Sequence, residues 1–80
     1  MTSTIESICY EYSEDCLFSR ELSFSGAPVM IICYVEYKYI GELSGFLRNH
    51  KYSISSRKNM GKYFSLIRFE LTGINSIDLN

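Results

Sequence analysis

The run from Val29 to Tyr39, VMIICYVEYKY, limits the fold more than any other stretch of the chain. At a period of two, Val29, Ile31, Cys33, Val35, Tyr37 and Tyr39 fall on one face. Met30, Ile32 and Tyr34 begin the other face before it turns polar at Glu36 and Lys38. This pattern predicts a central strand over Val29 to Tyr39, covered on both faces at its start and on one face further along. Upstream, Phe18, Leu22 and Phe24 alternate with Ser19, Glu21, Ser23 and Ser25, the pattern of a half-buried strand from Leu17 to Ser25. Ser25-Gly26-Ala27-Pro28 then supplies a turn, because Gly permits positive φ and Pro lacks the donor a ladder needs. The two strands predict an antiparallel hairpin.

After Tyr39 the period changes to about 3.6. Ile40, Leu43, Phe46, Leu47 and His50 make one stripe, so residues 40–50 are expected as a helix lying on the sheet. Gly41 and Gly45 weaken such a helix, and close approach to the sheet is the expected reason for them. Tyr52, Ile54 and Ser56 alternate with serines as a strand. Arg57 to Lys62 reads as a polar connection, and Tyr63 to Thr72 as a last strand. Tyr63, Ser65, Ile67, Phe69 and Leu71 share one face of it, and Phe64, Leu66, Arg68 and Glu70 the other. The tail from Ile74 to Asn80 has the spacing of a weak strand or docking strip.

The first sixteen residues fit two patterns. Ser3-Thr4-Ile5-Glu6 has the form of a capping box, and Ile5, Ile8, Cys9, Tyr12 and Cys16 recur at helical spacing. Ile8, Tyr10 and Tyr12 also alternate with Cys9 and Glu11 among residues that favour strands, which tilts the expectation to a strand followed by a turn at Ser13 to Asp15. The expected fold is α+β: a small antiparallel or mixed sheet of four to five strands with one helix, residues 40–50, packed on one face, an N-terminal helix being the alternative to a first strand. Its expected core is Ile31, Cys33, Val35, Leu43, Phe46, Leu47, Ile67 and Phe69. At 80 residues the chain is expected to be one compact domain, 1–80.

Hydrophobic residues at 46% and aromatics at 15% exclude a disordered chain. The cysteines Cys9, Cys16 and Cys33 are odd in number and lack C-x-x-C or Cys/His spacing, so they are expected as free, structural thiols in a reducing cytoplasm. The longest apolar run, Ala27 to Val35, is too short for a membrane span, and the start does not resemble a signal sequence. A soluble, cytoplasmic protein with no membrane association is the expectation. His50 is the one histidine and is expected to cap the C-terminus of its helix. Neither a phosphate-binding glycine loop nor a nucleophile elbow occurs, so no catalytic residue, cofactor or metal is expected and the chain reads as a non-enzyme.

Charge is uneven. Residues 1–36 hold six acids against Arg20, and residues 37–80 hold seven bases against three acids. The acidic, tyrosine-bearing stretch Tyr10, Glu11, Tyr12, Glu14 and Asp15 is the expected partner-binding surface of a protein-binding module, complementary to a basic groove on a larger complex that handles nucleic acid. The alternative is a nucleic-acid binder using Arg48, Lys51, Arg57, Lys58 and Lys62, with Tyr52 and Tyr63 stacking on bases. A homodimer through an exposed edge strand is compatible with either. In size, cytosolic character and lack of motifs the chain resembles the small inhibitors that phages and mobile elements use against bacterial defence systems, anti-CRISPR proteins among them. That resemblance implies an inhibitor or adaptor acting in a host cytoplasm, and it carries over no individual residue.

Overall fold

The structure is a computed structural model that describes residues 4–20 and 26–72. The elements run α1 (Thr4–Tyr12), β1 (Ser13–Ser19), β2 (Met30–Glu36), α2 (Tyr37–Asn49), β3 (Tyr52–Met60) and β4 (Phe64–Leu71). The strands form one antiparallel sheet in the order β1-β2-β4-β3. This is the expected α+β class, with four strands and two helices. β2 lies inside the sheet, as its apolar run predicts, and β1 and β3 are the edges. Leu22 and Phe24, expected on the first hairpin strand, and the tail strip from Ile74 lie outside the described residues.

The N-terminal segment is a helix, against the strand expectation. Its stripe of Ile5, Ile8, Cys9 and Tyr12 packs on the β1 side of the sheet while α2 covers the β3 side. Both patterns fit the local sequence, and the helix wins because it buries Cys9 completely and leaves Tyr10 and Glu11 in water. Ser13 to Asp15, expected as a turn, is instead the start of β1, with the pairing register shifting between Ser13 and Asp15.

β2 ends at Glu36 rather than Tyr39, and passes into α2 without a loop. Glu36, at φ −66° and ψ 145°, is the last extended residue. The Tyr37 N–H donates to Tyr63 O at 2.9 Å, which satisfies one of the orphan donors of the first helical turn. Tyr39 fits the helical stripe as well as the strand face, and packs against the core from α2. At the other end His50 is the C-cap, and its ring Nδ1 lies 3.1 Å from Phe46 O, in line with the capping expected of it. Lys51 follows at φ 71°, the left-handed position that usually ends a helix with Gly. Gly41 and Gly45 do not mark a close approach to the sheet: a Cβ at either would meet nothing within 4 Å. Each simply costs the helix up to about 1 kcal/mol relative to Ala.

Arg57 to Met60, expected in a connection, belong to β3, and the turn is Gly61-Lys62-Tyr63 with Gly61 at φ 80°. The core lies between the sheet and both helices: Cys9, Ile31, Cys33, Val35, Leu43, Leu47, Tyr52, Ile67 and Phe69. Phe46 is only partly buried beside it. The opposite sheet face has no covering element among the described residues. Met30, Ile32 and Tyr34 are therefore half-buried, not sealed on both sides as the apolar run predicts.

Candidate protein-binding surfaces

The acidic residues are gathered at one corner by the direct passage of α1 into β1. Glu11 lies in the last turn of the helix, Glu14 sits at the register shift, Asp15 starts the regular ladder opposite Tyr34, and all three are exposed. Tyr10, 52% exposed, meets Phe18 edge to face at 5.6 Å. Tyr12 lies 5.8 Å from Tyr39 of α2, and the Glu42 carboxylate beside its hydroxyl pushes the phenol above its ordinary pKa. Glu42, absent from the sequence expectation, thus joins the corner across the fold. Glu11, Glu14, Asp15 and Glu42 make no ion pair among the described residues, whereas Glu6 of the same helix is held by Arg20.

The basic residues are not brought together. Arg48 in the last turn of α2 and Lys51 just beyond it precede β3, whereas Arg57, Lys58 and Lys62 lie toward its far end, roughly 20 Å from Lys51 for a strand of this length. Arg57 lies over the Tyr37 ring at 5.8 Å, and its Nε donates to Ser65 Oγ at 3.4 Å. Tyr63 is exposed at 65%, but Tyr52 is 2% exposed and donates its hydroxyl to Pro28 O at 2.5 Å. Tyr52 is therefore a core residue and is unable to stack on a base, which corrects the alternative reading.

The three cysteines, far apart in sequence, converge. Cys9 comes from α1, Cys16 from β1 and Cys33 from β2, all three are free, and their thiols are close enough to shift one another's titration. Cys16 and Cys33 are directly opposed. Tyr37 N and Leu71 N bond Tyr63 O and Val29 O, so odd-numbered residues of β2 direct their backbone groups at β4. Cys16–Cys33 is consequently a non-hydrogen-bonded pair, the kind whose side chains come closest. Hydrogen bonds from Cys33 and Cys9 hold the half-buried Cys16 thiol well below its ordinary pKa, while Cys9 and Cys33 are held protonated. Iodoacetamide at neutral pH should alkylate Cys16 alone in the folded protein, and all three cysteines after denaturation. Peptide mapping checks this, and native labelling of Cys9 or Cys33 would contradict the packing.

The uncovered sheet face is the largest feature that the sequence expectation omits. Leu17 is 60% exposed, Met60 38% and Leu66 37%, and the Tyr34 and Phe64 rings stack at 4.6 Å with planes 2° apart. Asp15, Cys16, Leu17, Ile32, Tyr34 and Leu66 line a shallow concavity of about 80 Å³. Sites that engulf a small molecule usually offer about 300 Å³ or more. The alternation in β1, β2 and β4 already places these apolar residues on one face, and that was the available signal. No group of His, Cys, Asp and Glu suited to a metal ion occurs among the described residues, and none of their helices is long and apolar enough to cross a membrane. Comparison with protein families, with curated proteins and with solved structures finds no match to this chain.

Proposed function

We propose that this chain is a small non-enzymatic protein-binding module, an inhibitor or adaptor that docks on a larger nucleic-acid-handling complex in the cytoplasm, of the kind phages and mobile elements direct at host defence. The observation that carries the reading is the acidic corner, where Glu11, Glu14, Asp15 and Glu42 stand without ion-pair partners among the described residues, beside Tyr10, Tyr12 and Tyr39. Carboxylates left unpaired can neutralise a basic groove, and tyrosines add contact area at low entropic cost. The shallowness of the concavity and the dispersal of the basic residues favour this over an enzyme or a direct nucleic-acid binder.

Capture of a partner from host cytosol, with and without nuclease, tests the proposal. One stoichiometric protein complex is the expected catch, and recovery of nuclease-sensitive material alone would overturn the reading. Combined reversal of Glu11, Glu14 and Asp15 to Lys should weaken capture by about tenfold or more with circular dichroism unchanged. Reversal of Arg57, Lys58 and Lys62 should matter less. A nucleic-acid binder would show the opposite sensitivity, and an affinity for oligonucleotides that falls steeply with salt.

A further inference from the structure

We propose that the uncovered sheet face binds a second copy of this chain, the two sheets packing face to face about a two-fold axis parallel to the strands. The pairing register sets out what that face presents. One row across the sheet is Asp15, Tyr34, Leu66 and Lys58, from β1 through β2 and β4 to β3. The next, toward the connection between β1 and β2, is Leu17, Ile32, Arg68 and Ser56. A third, on the other side, holds Glu36, Phe64 and Met60. The first row is apolar at its centre, Tyr34 and Leu66, and its two ends carry opposite charge.

This arrangement is self-complementary in one orientation. An axis along the strands, between β2 and β4, lays each β1 over the partner's β3. Asp15 then faces the partner's Lys58 at both ends of the row, while Tyr34 and Leu66 cover the partner's Leu66 and Tyr34. An axis across the strands would lay β1 over β1 and oppose like charges, so the charge pattern selects the first. Arg68 does not obstruct the contact, because its guanidinium is held by Glu70 at 3.1 Å and its aliphatic stem can lie on the apolar surface. Four strands about 4.8 Å apart and three to four rows make a face of roughly 400 Å², short of the ~800 Å² per partner of a standard interface. The dimer should therefore be weak and concentration-dependent.

Sedimentation equilibrium of the full chain over roughly micromolar to millimolar concentration provides the test, since weak dimers dissociate in that range. A reversible monomer–dimer equilibrium is expected. Asp15→Lys and Lys58→Asp should each weaken it about tenfold, and the two together should restore it, because the swap re-forms both cross-dimer pairs. Leu66→Lys should abolish it, and Leu66 is exposed in the monomer, so the core is left intact. A monomer at every concentration overturns the proposal, whether residues 73–80 or a different protein then cover the face. A dimer indifferent to both charge reversals and to Leu66→Lys also overturns it, in favour of pairing through the β1 or β3 edge. The measurement needs no partner protein, so its outcome is independent of the function proposed above.

Discussion

Phe69→Ala is expected to remove a large share of the stability of this chain. Phe69 is 1% exposed on β4, opposite Ile31 of β2 and Ile54 of β3, and belongs to the cluster that α2 closes with Leu43 and Leu47. Truncating a buried Phe costs about 3 to 5 kcal/mol, from lost transfer energy and the cavity left behind. A domain of this size has a total stability of roughly 4 to 12 kcal/mol, so the loss is a large share of it. Phe46 has the same side chain and a different position. It is half-buried on α2 and lies against His50 at 4.4 Å, so its truncation should cost only about 1 to 2 kcal/mol. Urea unfolding followed by circular dichroism separates the two, and an equal loss at both positions would show that the helix, not the sheet, anchors the core.

That contrast marks what periodicity conveys. The stripe Ile40, Leu43, Phe46, Leu47 finds the helix and its facing side, but only the sheet beneath decides that Leu43 and Leu47 sit at the centre and Phe46 at the margin. The interior position of β2 and the alternation of β4 were legible because both strands bury one face on the same core. The first helix was not, because Ile8 to Tyr12 satisfies two periods at once and only burial of Cys9 beneath the helix chooses between them. Tyr39 is a similar case, since a residue at a strand-to-helix passage fits both patterns.

The candidate site divides in the same way. Glu11, Glu14 and Asp15 are neighbours in sequence, so their corner survives any local rearrangement. Glu42 arrives there only because α2 lies beside α1, and the three thiols meet only because the register pairs Cys16 with Cys33 and α1 packs Cys9 over them. No sequence spacing encodes either. The uncovered face was present in the alternation, but whether a second layer covers a face is a fact of tertiary structure.

Tyr52→Phe should destabilise the protein at neutral pH and remove part of its sensitivity to alkali. Tyr52 reads in sequence as a surface aromatic among bases, yet its hydroxyl is the buried donor to Pro28 O, at 2.5 Å, between β3 and the segment that leads into β2. Losing it strands a buried carbonyl, at a cost of about 1 to 3 kcal/mol. Burial, its largest cause, pushes the Tyr52 phenol from 10.0 up to about 12. Because the folded value is the higher one, this tyrosine stabilises the fold fully below pH 10 and loses that contribution as pH rises from 10 toward 12. Cys9 and Cys33, also held protonated, begin to weigh against the fold as pH passes the ordinary thiol value of 9.0, and do so in both proteins. Urea midpoints measured across this range should therefore differ most at neutral pH and converge between pH 10 and 12. Curves that stay parallel to pH 12 would show that the Tyr52 hydroxyl is open to water in the folded chain.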